Sequence, residues 1–78
     1  MKVYITGAYI YGGLSAVHFK VRERFEDAAA DFDDLLARYT DGRSDALAAN
    51  PSTPSVRVMA SPIYGDGAFV FYRVELVQ

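Results

Sequence analysis

Apolar and polar residues alternate along both ends of the chain, and the middle switches to a helical rhythm. Val3, Ile5, Gly7, Tyr9 and Tyr11 interleave with Lys2, Tyr4, Thr6, Ala8 and Ile10, and past Gly12-Gly13 the residues Val17, Phe19 and Val21 interleave with His18, Lys20 and Arg22. Period two on both sides of a glycine break predicts a β-hairpin. A two-residue turn would set Ile5 against Lys20, mixing apolar and charged side chains on one face. A three-residue turn, Gly12-Gly13-Leu14, pairs Ile5 with Val21, Gly7 with Phe19 and Tyr9 with Val17, and is the register expected. Phe19 is then expected to cover the bare Gly7.

From Phe25 to Tyr39 the bulky residues Phe25, Phe32, Leu35, Leu36 and Tyr39, with Ala28 and Ala29 between them, recur at steps of three and four. At about 100° per residue they form one stripe of a helix. Glu26 and Asp27 suit its positive end, and Asp41-Gly42 is a helix stop. Ser44 can cap one further turn, Asp45 to Ala49, and Asn50-Pro51-Ser52-Thr53-Pro54 reads as a loop.

The last third alternates again. Val56, Val58 and Ala60 interleave with Arg57, Met59 and Ser61, and after Gly65-Asp66-Gly67 the residues Val70, Tyr72, Val74 and Leu76 interleave with Phe69, Phe71, Arg73 and Glu75. A three-residue turn pairs Val58 with Val74, Ala60 with Tyr72 and Arg57 with Glu75. Pro62 has no N–H for a ladder, which puts the third strand at an edge. The fold class expected is therefore α+β, order ββαββ, a four-stranded, mainly antiparallel sheet with one helix packed on one face. Strands one and four, apolar on both faces, are expected at the centre. The expected inward set is Val3, Ile5, Tyr9, Val17, Phe19, Val21, Val56, Val58, Val70, Tyr72, Val74 and Leu76, closed by the helix stripe. That leaves Tyr4, Thr6, Ala8, Ile10, His18, Lys20, Arg22, Arg57, Met59, Phe69, Phe71 and Arg73 for the uncovered face.

Seventy-eight residues, 51% of them hydrophobic and 14% aromatic, make one α+β domain over residues 1–78 with a single modest core. There is no cysteine, which removes disulfides, thiolate metal sites and thiol catalysis, and favours a cytoplasmic setting. The start of the chain has no signal-peptide pattern, and no apolar run reaches membrane length.

The net charge of −2 is unevenly spread. Residues 26–45 hold seven acids against Arg38 and Arg43, for −5, and the rest holds three acids against six bases, for +3. Two candidate partner-binding surfaces follow. One is the acidic helix face, Glu26, Asp27, Asp31, Asp33 and Asp34 with Asp41 and Asp45. The other is the open sheet face, Tyr4, Lys20, Arg22, Arg57, Met59, Phe69, Phe71 and Arg73, unusually aromatic for a side turned to water.

Catalytic and metal chemistry find little to stand on. His18 is the single histidine, Ser15 lies on no nucleophile elbow, and a lone histidine on a strand is ordinarily a surface residue. Asp31 and Asp34 share a helix face but lack the oxygen-rich loop of a calcium site. The glycine turns precede no helix and so cradle no phosphate. No catalytic residue, cofactor or metal is expected, and the chain reads as a non-enzyme.

Two resemblances bear on function. Val3-Tyr4-Ile5-Thr6-Gly7-Ala8 looks like the shorter ribonucleoprotein motif of the RNA-recognition motif, and Ala68-Phe69-Val70-Phe71-Tyr72 is similar to half of the longer one. The resemblance implies single-stranded RNA or DNA stacked on Tyr4, Phe69 and Phe71, although the order ββαββ departs from that family's βαββαβ. In size, architecture and charge layout the chain also resembles the anti-CRISPR proteins, small phage-encoded inhibitors. That resemblance implies a stoichiometric inhibitor in the host cytoplasm that binds a CRISPR effector complex through a basic groove and blocks DNA binding or nuclease recruitment. The leading expectation is a protein-binding inhibitor or adaptor, ahead of a nucleic-acid-binding module and a small structural homodimer.

Overall fold

The computed structural model describes residues 1–10, 17–40, 54–64 and 67–77. Its elements are β1 (Lys2–Tyr9), β2 (Val17–Arg22), α1 (Phe25–Tyr39), β3 (Ser55–Met59) and β4 (Phe69–Leu76), with a 3₁₀ turn at Pro62–Tyr64. The strands form one antiparallel sheet in the order β2-β1-β4-β3. The α+β class, the helix at Phe25–Tyr39 and the central placing of β1 and β4 agree with the sequence reading. No described helix is long and apolar enough to cross a membrane. The expected Gly12-Gly13-Leu14 turn, the Asp41-Gly42 stop, the turn at 45–49 and most of the 50–54 loop lie outside the described residues.

The helix folds on its apolar stripe. Ala28, Phe32, Leu35 and Leu36 are buried, and Phe32 stands edge-on to Tyr72 with ring centroids 6.2 Å apart. No side chain caps the N-terminus at Arg24, whereas at the C-terminus both the backbone N–H and the hydroxyl of Thr40 donate to the Leu36 carbonyl. Beneath the helix lie Ala8, Val70 and Tyr72, ringed by Tyr4, Phe25, Tyr39, Val56, Val58 and Val74. Thr6 and Ala8 are wholly buried small residues, which lets the helix sit close on the central strands. Thr6 Oγ1 and the Tyr72 hydroxyl, opposite each other on the β1–β4 ladder, are buried with no hydrogen-bond partner among the described residues.

The first hairpin is inverted relative to the expectation. Tyr4, Thr6, Ala8, Lys20 and Arg22 lie on the helix side, while Val3, Ile5, Tyr9, Phe19 and Val21 take the other face; Val3 and Ile5 pack there with Phe71 and Phe69. Asp31 supplies the physical reason. It falls on the core-facing edge of the helix and is 9% exposed, so its charge needs a cation from the adjoining strand. Arg22 and Lys20 provide it.

Registers differ too. Ile5 pairs with Val21 as expected, but Ala8 pairs with Val17, because Phe19 and His18 together stand opposite Gly7 in a bulge and His18 takes φ 54°. The ring that covers Gly7 is that of Phe71, its direct partner on β4, not Phe19. On the other side, Val58 pairs with Val70 and Arg57 with Phe71, four residues from the expected match. The chain leaves the ladder after Met59, where Ser61 N–H donates to the Tyr39 carbonyl at 2.7 Å and the 3₁₀ turn follows, so the connection is longer than three residues. A four-residue slip keeps every side chain on its face, and β3 and β4 present the expected sides. Arg73, not Arg57, meets Glu75, at 3.5 Å. Leu76, expected inward, is 77% exposed.

Candidate functional site: the open sheet face

Two surfaces are candidates for contact, the acidic helix face and the aromatic-basic sheet face, and the fold redistributes their residues. On the helix, Glu26, Asp27, Asp33 and Asp34 are exposed as expected. Asp31 does not belong with them: Arg22 Nε donates to its Oδ2 at 2.7 Å, Arg22 Nη2 to its Oδ1 at 3.2 Å, and Lys20 Nζ lies 3.7 Å away. The hydrogen bonds from Arg22 hold the Asp31 carboxyl below its usual range, against the opposing effect of burial, and the guanidinium is held correspondingly more firmly protonated. Asp31 is a structural anion tying α1 to β2. Asp41 and Asp45 lie outside the described residues.

Of the open-face candidates, Tyr4, Lys20 and Arg22 are corrected to the helix side. Tyr4 packs edge-on against Phe25 at 5.8 Å and stacks with Tyr72 at 6.4 Å. The proposed base-stacking trio is therefore split across the sheet, with Tyr4 on one face and Phe69 and Phe71 on the other. Arg57, Met59, Phe69, Phe71 and Arg73 do occupy the face opposite the helix. His18 sits on the bulge with its ring 5.7 Å from that of Tyr39.

The hairpin inversion brings Val3, Ile5, Tyr9, Phe19 and Val21 to that same face, where the sequence reading had not placed them. The result is more apolar than expected. Phe19 is 50%, Val21 52% and Met59 60% exposed. Isolated exposed hydrophobic residues are normal, but here they share one side of one sheet, and no described element packs over them.

Within the face, Tyr9, Phe69 and Phe71 form an aromatic cluster, with Tyr9 5.0 and 5.5 Å from the two phenylalanine rings. The Arg57 guanidinium lies over Phe69 at 4.4 Å, and that of Arg73 over Phe71 at 5.9 Å. A groove of about 340 Å³ runs between them, lined also by Ser55 and Val56. Tyr9 and Ser55 are site residues the sequence reading missed. Only the pairing of β3 with β4, which sets Ser55 against Arg73, reveals the second. Among the described residues no three His, Asp or Glu side chains gather as a metal site.

No family model, curated protein or solved structure matches the chain.

Proposed function

We propose that this chain is a non-catalytic protein-binding inhibitor or adaptor that docks through its open sheet face. One observation carries the reading: Phe19, Val21 and Met59 stand half or more exposed on one side of a sheet whose other side is sealed by the helix. Keeping such side chains in water costs about 25 cal/mol per Å² of apolar surface, and a partner that covers them recovers it. Four strands about 4.8 Å apart and five to eight residues long make a face of roughly 300–500 Å². A standard stable interface takes about 800 Å² from each partner, so the occupant must reach past the flat of the sheet. That favours a larger protein over a second copy laid face to face. The resemblance to anti-CRISPR proteins makes a CRISPR effector complex in the host cytoplasm the first partner to try, with the exposed acids of α1 steering the approach.

The single-stranded nucleic-acid reading loses ground because Tyr4 is turned away from Phe69 and Phe71 and guanidiniums lie over both of those rings. The experiment is affinity capture from a bacterial lysate, identification of what is retained, and re-formation of the complex from two purified proteins. Wild type and Asp33→Lys/Asp34→Lys should form a stoichiometric complex, and Phe19→Asp/Val21→Asp should not. Equal complex formation by the sheet variant, or loss confined to the helix variant, would overturn the choice of face.

A further inference from the structure

Among the described strand residues the open face carries two basic side chains, Arg57 and Arg73, and both lie over rings. Arg57 lies over Phe69 at 4.4 Å and has no carboxylate within ion-pair distance among the described residues. Arg73 lies over Phe71 and shares only the half-exposed Glu75, at 3.5 Å. A guanidinium that stacks through its flat face keeps its in-plane N–H donors for an anion, in the fork that matches a carboxylate. The pairing of Arg73 with Ser55 and of Arg57 with Phe71 sets the two arginines diagonally across neighbouring strands, on either side of the groove.

We infer that this groove receives an acidic segment of a partner protein, a carboxylate side chain taken between Arg57 and Arg73 and an adjacent aromatic or branched aliphatic side chain laid on the exposed ring of Tyr9. The inference rests on the reading of the open face as a protein-docking surface and names the chemistry of what docks there. Charge complementarity decides the class. The face offers two guanidiniums and one carboxylate, a net positive charge beside apolar rings, while the helix side presents its exposed acids elsewhere. A nucleic-acid strand needs bare rings for its bases and a continuous track of cations for its phosphates. Here Phe69 is capped by Arg57, Phe71 is 8% exposed, and Glu75 interrupts the positive charge.

The probe is a fluorescein-labelled peptide of about ten residues in which glutamate alternates with leucine and phenylalanine, followed by anisotropy. Its controls are the same peptide with lysine for glutamate and a labelled oligothymidine of similar length. The acidic peptide should bind the wild type and Asp33→Asn/Asp34→Asn alike, and the lysine peptide and the oligothymidine should bind at least about tenfold more weakly. Arg57→Gln/Arg73→Gln, two exposed positions at which circular dichroism should stay native, should lose at least about tenfold in affinity for the acidic peptide. Equal binding of both peptides, unchanged affinity in the arginine variant, tighter binding of oligothymidine, or no binding of the acidic peptide at high micromolar concentration would each overturn the inference. None of these outcomes touches the broader reading. That reading is tested at Phe19 and Val21 of β2, a strand that contributes no residue to the groove.

Discussion

Asp31 and Arg22 are joined by two hydrogen bonds, at 2.7 and 3.2 Å, across the seam between the helix and an edge strand. The pair decides which way the first hairpin faces, because with Arg22 and Lys20 turned toward the helix, Val21 and Phe19 must turn away from it. A buried carboxylate that selects an orientation thereby sets the character of the opposite face.

That pair should be visible in the acid limb of stability. Arg22 holds the Asp31 carboxyl below its ordinary value of 3.8, so its contribution is fully present above that value and is lost as pH falls through the lower folded-state value. Urea unfolding of wild type and Asp31→Asn should show the wild type more stable at pH 7, with the gap closing below about pH 4. A gap independent of pH would show that the carboxylate charge does not matter.

Gly7 and Phe71 make a second tight relationship. A Cβ on Gly7 would lie 2.9 Å from Phe71 Cζ and 3.0 Å from Cε1, and the ring is held by Tyr9, Val3 and Ile5. Gly7→Ala should therefore cost about 1–3 kcal/mol through overpacking, and the cost should shrink in a Phe71→Leu background. Additive losses in urea titrations would contradict the contact.

Core and surface aromatics should separate cleanly. Phe32 is fully buried under the helix, and Phe32→Ala should lose about 3–5 kcal/mol. A chain of 78 residues has roughly 4–12 kcal/mol in total, so this variant should lose a large share of its stability and melt well below the wild type. Phe19, half exposed, should tolerate Phe19→Ala within about 1 kcal/mol. Thermal melts followed by circular dichroism measure both, and a large loss at Phe19 would mean that something covers it.

Much of this fold could be read from residue order, because the helix stripe has a single period and β1 and β4 are apolar on both sides. The same two-sided apolarity hid the orientation of the first hairpin: Val3, Ile5 and Tyr9 are no more core-like than Tyr4, Ala8 and Ile10. The missing signal was Asp31, one residue before Phe32 and four before Leu35, on the edge of the buried stripe. It needed a cation from the strand alongside, and Lys20 and Arg22 alternate correctly to supply one. The register of β3 was misread for another reason. It was set by a three-residue turn at Gly65-Asp66-Gly67, whereas the 3₁₀ turn at Pro62–Tyr64 lengthens the connection, and the Arg57 and Glu75 match that agreed with it belongs to a class of exposed ion pairs worth little. The groove was only half visible in consequence, with Arg57, Phe69, Phe71 and Arg73 anticipated and Tyr9 and Ser55 not.

A cysteine-free chain allows one direct test of where a partner sits. Single cysteines placed at Val21, Met59 and Asp33 are labelled with a thiol reagent in the free protein and in the re-formed complex. Docking on the open sheet face predicts rapid labelling of all three in the free protein, and strong protection in the complex at Val21 and Met59 but not at Asp33. Protection at Asp33 alone, with Val21 and Met59 still reactive, would place the partner on the acidic helix and contradict the account.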